Sequence, residues 1–288
     1  MTQTPVKIKK TVYQIVTDKM IEELEKGVIP WARPWKNQYG IFPSNYKTKK
    51  EYRGINIMLL GSASENPYWL TFNQAKELGG TIKKGAKSAL VCYFNWILKD
   101  SDGKTVKDPK LAATKFPVLK YYRVFSADDI EGIEFEYPTV VELNDNERIE
   151  QCETIVQSTS ATIKHGGDRA YWTPLADFIQ MPNLKQFDNS ETYYATLFHE
   201  LTHWTGHESR LNRNMAGGMK SKTYAKEELV AEMGANFFNS HCQIETKKMT
   251  KNSAAYLQSW ISTLKGDSKL IITAAAQAQK AFDFVMKD

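Results

Sequence analysis

The 288-residue sequence has few of the features that build secreted, disulfide-held or membrane-spanning proteins. Its three cysteines, Cys92, Cys152 and Cys242, are odd in number, widely spaced and in no Cys-x-x-Cys pair, which argues against a disulfide framework and against a thiolate zinc cluster. No stretch of about 18 apolar residues occurs, and the polar N-terminus lacks the apolar core of a signal peptide. A cytoplasmic protein that does not cross a membrane is therefore expected. Histidine is also scarce, at five residues, so the close spacing of two of them carries information.

Charge is unevenly spread. Residues 1–126 hold 22 Lys and Arg against 10 Asp and Glu, whereas the remainder holds 16 against 23. A basic half joined to an acidic half suggests a polyanion-binding module attached to a domain with another task. The length suits two domains of roughly 100–200 residues each.

The two spaced histidines lie in Phe198-His199-Glu200-Leu201-Thr202-His203-Trp204, inside a run that reads as one buried helix. Residues four apart share a helix face, so His199 and His203 can each turn an imidazole nitrogen toward one tetrahedral metal. Glu200 then stands beside the metal as the catalytic base, where it can take a proton from water whose pKa the metal lowers to roughly 7. That is metallopeptidase chemistry, with Zn2+ the expected ion and Mn2+ the alternative divalent metal.

A catalytic zinc normally has three protein ligands and one open position. A third histidine at the His-Glu-x-x-His-x-x-Gly-x-x-His spacing is lacking: Gly206 fits, but Ser209 holds the last place and His207 comes too early. Downstream, Tyr224 to Ala235 reads as a helix in which Glu228 and Glu232 share a face, with Glu227 about a quarter turn away. This register assigns Glu228 to the metal and Glu232 to the surrounding shell, holding a histidine N–H. Tyr224 offers a phenol to the oxyanion of a tetrahedral intermediate.

In the first half, apolar residues from Val12 to Leu24 fall in a helical stripe that stops at Gly27. Ile29-Pro30-Trp31-Ala32-Arg33-Pro34-Trp35-Lys36 follows, a stiff extended segment presenting aromatics beside cations, as a single-strand platform requires, with the alternative that one or both indoles belong to the core. Thr71 reads as the cap of a helix over 72–78, Ala89 to Leu98 as a strand, residues 99–115 as a flexible hairpin insertion, and 121–125 as the returning strand. The acidic stretch 128–147 reads as a linker between domains at 1–127 and 148–288. Beyond it the sequence predicts a helix from Arg148, a strand, a Gly166-Gly167 turn, two further extended pieces, and two C-terminal helices parted near Gly266.

Several motifs together resemble the ArdC-type antirestriction proteins of conjugative plasmids over nearly the whole chain. Gly27-x-x-Pro30-Trp31-x-x-Pro34-Trp35, Tyr52-Arg53-Gly54-Ile55-Asn56 and Trp69-Leu70-Thr71-Phe72-x-x-Ala75 resemble the single-stranded DNA-binding domain that such proteins share with some plasmid primases. The run from His199 through Arg213 and Tyr224-Ala225-x-Glu227-Glu228-Leu229 resemble their metallopeptidase half. The insertion around 99–115 departs from that pattern. The expected fold is α+β: a small basic α+β domain followed by a zincin-like metallopeptidase domain with a small sheet and a helical C-terminus.

The resemblance implies single-stranded DNA binding and protection of incoming plasmid DNA during conjugation. Phosphates would be met by Lys36, Arg53, Lys83 and Lys84, and bases would stack on Trp35, Tyr52 and Trp69. The expected partners are single-stranded DNA and an unidentified protein substrate, such as a restriction protein or another DNA-bound protein. Two rival readings are a protective DNA-binding protein whose metal is purely structural, and a DNA-triggered protease acting on DNA-bound proteins.

Overall fold

Thr11 and Gln14 open the first helix with a reciprocal cap, each side chain accepting from the other residue's backbone N–H. In the computed structural model, which describes residues 10–31, 41–139, 144–215, 221–244 and 254–287, this helix, α1, covers Val12–Glu25. It ends before Gly27, whose φ of +80° suits glycine. There follow β1 (Ser44–Asn45), β2 (Lys50–Glu51), α2 (Ile55–Gly61), β3 (Tyr68–Leu70), α3 (Phe72–Glu77), β4 (Thr81–Ile82), β5 (Ala89–Lys99), β6 (Thr105–Val106), β7 (Thr114–Ser126) and β8 (Ile130–Glu131). A six-stranded sheet in the order β2-β1-β3-β7-β5-β6 frames this half. Thr71 caps α3, again in a reciprocal pair, with Gln74.

β5 and β7 pair from Ala89↔Val124 out to Lys99↔Thr114. β3 reaches β7 only at Ser126 and Phe125, so the outer parts of β5 and β7 leave the sheet as a ribbon, joined at its tip by β6, which pairs with β5 at Leu98 and Lys99. The sequence predicts a return strand only from Tyr121, but it begins at Thr114. Pro117 hides it, because proline cannot donate to a ladder; here Pro117 lies opposite Trp96 on a strand whose other edge is unpaired.

The second half runs α4 (Asp145–Gln157), β9 (Thr162–His165), β10 (Tyr171–Thr173), β11 (Phe178–Met181), α5 (Ser190–Trp204), α6 (Lys222–His241), α7 (Ala254–Gly266) and α8 (Leu270–Val285). α4 starts before Arg148 because Asn144 and Glu147 cap it reciprocally. The sequence suggests a β9–β10 hairpin across Gly166-Gly167. Instead β11 lies between them, antiparallel to β10 and parallel to β9. Its Ile179 and Met181 are fully buried with Leu197, Phe198 and Leu201 of α5, which makes it the strand that belongs at the centre.

The largest core draws on both halves. Val16, Met20 and Leu24 of α1, Ile57 and Met58 of α2, and Trp31 pack with Leu229 and Met233 of α6, Trp260 and Leu264 of α7, and Ala274, Ala275 and Ala278 of α8. Alanines on α8 let it lie close, and Gly54 N–H donates to Gln279 Oε1 at 2.9 Å across the same contact. Residues 128–139, read from sequence as linker, pack back on the first half: β8 pairs with β4, Ile130 joins Leu70 and Ala75, and Asn66 Nδ2 donates to the Tyr137 hydroxyl at 2.8 Å. Among the described residues no helix is long and apolar enough to cross a membrane.

Candidate metal centre

α5 and α6 approach closely at Gly234. A Cβ there would stand 2.5 Å from Thr202 Cγ2 and 2.6 Å from its Oγ1, so a side chain at this position would force the helices apart. Thr202 is itself fully buried and donates to Phe198 O at 2.7 Å. Asn189 caps α5 and Ser221 caps α6, which fixes where each helix starts. The close crossing sets the carboxylates of α6 against the imidazoles of α5.

His199 Nε2 and His203 Nε2 are 3.2 Å apart. Glu228 places Oε2 3.7 Å from the first and Oε1 3.5 Å from the second. One ligand atom from each of the three residues lies within 4.8 Å of the others. Two imidazole nitrogens and a carboxylate oxygen, all half-buried, form a donor set that suits Zn2+ or Mn2+.

The other nitrogen of His203 is also held. Nδ1 lies 3.1 Å from Glu227 Oε1, and Arg213 donates to the same carboxylate at 2.7 and 3.0 Å. Arg213 is fixed in turn by bonds to Thr205 Oγ1 at 2.7 Å and Thr202 O at 2.6 Å. Gly206 makes room for it, since a Cβ there would come within 2.7 Å of an Arg213 nitrogen.

Burial opposes a charge on His203, but its hydrogen bonds to Glu227 and Glu228 and the charge of nearby Glu200 outweigh that and raise its pKa to about 9. Burial likewise opposes charge on Glu228, yet His203 and His199 hold its carboxyl down at about 2. Glu227 is also held below the usual carboxylate range: His203 and Arg213 outweigh its burial. The pocket therefore favours positive charge, as a proton or as a metal ion.

Glu200 accepts a hydrogen bond from the backbone N–H of Trp172 on β10 at 2.9 Å. The loop beside it is clamped by Asp177, which takes two bonds from Arg210, at 2.8 and 2.5 Å, and one from Trp172 Nε1 at 3.1 Å. Tyr224 hydrogen-bonds Glu228, and burial together with that carboxylate raises its phenol pKa.

Glu232 departs from its sequence assignment. Its Oε2 accepts from Trp31 Nε1 at 2.8 Å and from the Tyr256 hydroxyl at 2.8 Å, one turn beyond the metal pocket. Glu227 instead meets the histidine. An imidazole presents nitrogens on two sides, so neighbouring residues on α6 can both touch His203. Arg213 falls within the run that resembles the metallopeptidase half, but its role against Glu227 and that of Trp172 are not readable in the sequence, because loop closure and a backbone N–H leave no spacing signal.

The DNA-contact candidates fare unevenly. Trp69 is 1% exposed in a small core with Leu60 and Val91, so it offers no face for stacking. Tyr52 packs against the same cluster, and its phenol accepts from Asn45. Arg53 pairs with Asp283 of α8. Lys83 and Lys84 are exposed, although Lys83 Nζ also donates to Asp128 O at 2.6 Å. Trp35 and Lys36 lie outside the described residues.

A crossed helix pair carrying two histidines and a glutamate, backed by a small mixed sheet, defines a zincin-like metallopeptidase domain, and residues 150–277 match the family model of that description. Residues 10–125 match the N-terminal domain of anti-restriction factor ArdC. The chain belongs to the ArdC antirestriction family. Structures of the antirestriction ArdC protein from plasmid R388, metal-free and Mn(II)-bound, have a TM-score of 0.76 to this chain at 36% and 37% identity, covering 96% of this chain and 97% of theirs. The protein y4eC of Sinorhizobium fredii is 30% identical over 291 residues, 98% of this chain and 92% of that protein. A DNA primase TraC of Escherichia coli is 36% identical over 294 residues, which cover 96% of this chain but only 20% of the primase, so the chain spans about a fifth of that relative. The matched domain and the Mn(II)-bound relative support a divalent metal.

Proposed function

We propose that this chain is an antirestriction protein that binds single-stranded DNA through its basic half and carries a Zn2+- or Mn2+-dependent peptidase centre, protecting incoming plasmid DNA during conjugation. The observation that carries the peptidase reading is the convergence of donor atoms from His199, His203 and Glu228. These three would hold the metal, which when bound supplies carbonyl polarisation and a lowered pKa for water. Glu200, steadied by the Trp172 N–H, takes the proton of the attacking water and delivers it to the leaving amine. Tyr224 donates its phenol hydrogen to the developing oxyanion. Glu227 holds His203 by Nδ1, leaving Nε2 for the metal. The substrate is a restriction protein or another protein bound to the DNA.

Glu200→Gln tests this reading. Bound metal and melting temperature should match wild type, while cleavage of a fluorogenic casein substrate falls by about 10²–10⁴-fold. Wild-type cleavage in that variant would remove Glu200 from the reaction. If the variant lacks cleavage but still protects DNA in a conjugation assay, the metal serves only structure in that role.

One observation favours the DNA-triggered reading. Trp31, in the Pro-Trp segment of the basic half, donates to Glu232 one turn along α6 from Glu228. A strand bound near that segment can therefore bear on a metal-ligand helix. Faster casein cleavage on adding single-stranded DNA would support this, and an unchanged rate would exclude it.

A further inference from the structure

We propose that the ribbon of β5 and β7 is the platform on which a single strand stacks, along the face that carries Phe94, Trp96 and Tyr121. The inference rests on the reading that the basic half binds single-stranded DNA, and it relocates the contacts. The rings picked out by sequence do not serve: Trp69 is core and Tyr52 packs against it. Six of the eight exposed aromatic side chains among the described residues lie instead on this ribbon.

Paired residues of an antiparallel ladder share a face, and alternate rungs return to it. Successive rungs on one face are Leu90·Arg123, Cys92·Tyr121, Phe94·Leu119, Trp96·Pro117 and Leu98·Lys115. Three consecutive rungs thus carry one ring each, with a cation on the rung at either end. The row measures about 27 Å from first rung to last, at roughly 3.4 Å per residue. Tyr121 is 43% exposed, Phe94 51% and Trp96 45%, so all three rings reach solvent. Phe94 and Trp96 stand edge to face with centroids 5.5 Å apart, and Lys115 Nζ lies 5.1 Å from the Trp96 ring. The opposite face is interrupted: Asn95·Val118 separates Tyr93 and Tyr122 from Phe116.

Charge selects the occupant. The strands 89–99 and 114–126 contain no Asp or Glu, and of their cations Lys115 and Arg123 lie on this face while Lys99 and Lys120 lie on the other. Two such ribbons repel each other, whereas a polyanion with flat bases satisfies both the charges and the rings. Single strands meet this need because their bases are unpaired and have both faces accessible.

The test measures anisotropy of a fluorescein-labelled single strand of mixed sequence with the full chain. The triple variant F94A/W96A/Y121A should bind on the order of a hundredfold more weakly, and Trp96→Ala alone on the order of tenfold. Trp96→Phe should stay within about threefold of wild type, as should Y93A/Y122A on the other face. Lys115→Ala leaves all rings in place and should lower the slope of log affinity against log salt by about 0.7. Circular dichroism and melting confirm that the variants fold. Wild-type affinity in the triple variant, or equal loss from Y93A/Y122A, overturns the proposal while leaving DNA binding intact. Failure of the wild type to bind any single strand sinks the DNA reading and the platform with it. If sedimentation shows the wild type self-associating and the triple variant monomeric, the ribbon is a contact between copies and the proposal falls.

Discussion

Glu227 meets His203 at 3.1 Å through Nδ1, on the side of the ring away from His199 and Glu228. Arg213 grips the same carboxylate with two nitrogens. One buried acid thus orients a metal-side imidazole and is itself anchored by the loop that follows α5. Such outer partners set how well a ligand is aimed, and losing one typically costs 10–100-fold in metal affinity.

Metal titration against a competing chelator separates the two adjacent glutamates. Glu228→Ala should lose most bound metal. Glu227→Gln should keep one metal per chain, bound about 10–100-fold more weakly. Undiminished binding in Glu228→Ala would show that the third ligand lies elsewhere.

The crossing at Gly234 gives a second test. Gly234→Ala places a methyl against Thr202 and should destabilise the fold by about 1–3 kcal/mol in urea denaturation. Removing the opposing hydroxyl and methyl in G234A/T202A should recover part of that loss. If the double variant is worse than the sum of the singles, the contact is not what limits the approach of the helices.

The Asp177–Arg210 clamp gives a pH dependence. Arg210 holds the Asp177 carboxyl below its ordinary value; burial opposes this and the Trp172 indole adds to it. A depressed folded pKa contributes stability that is full above the unfolded value of about 3.9 and is lost as pH falls through the folded pKa. The melting-temperature gap between wild type and Asp177→Asn should therefore be constant at neutral pH and close as pH drops below about 4. A gap that persists at pH about 2 would assign the effect to packing rather than to the charge.

Trp69 distinguishes core from contact. Its indole Nε1 is buried and has no hydrogen-bond partner among the described residues. Trp69→Phe should cost under about 1.5 kcal/mol and leave DNA affinity unchanged. A drop in affinity without a drop in stability would return Trp69 to the binding surface.

The legible parts of this chain were those with a local signature. Thr71 announces a helix start, the stripe from Val12 to Leu24 announces a buried face, and the spacing of His199 and His203 announces a pocket. Glu228 stands out as a carboxylate inside the apolar run of α6, and its donor atom does lie beside those of His199 and His203. The place of Glu227 could not be read, because helical spacing tells which residues share a face and not which face meets the partner helix. A tryptophan in a strand-like run reads the same whether it is packed, as Trp69 is, or open, as Trp96 is. The placement of β11 between β9 and β10, and of α7 and α8 against α1, depends on contacts between distant segments that leave no period in the sequence.

That last arrangement bears on how the protein is made. α1 is made before α6, α7 and α8, so Met20, Leu24 and Trp31 meet Leu229, Met233, Trp260 and Ala278 only when those helices have followed. A nascent chain that stops at residue 139 can form the sheet while the part of α1 that meets α6, α7 and α8 still faces water. The amino-terminal half thus completes its core only once α8 has been made, and a nick that removes α8 unseats both halves at once.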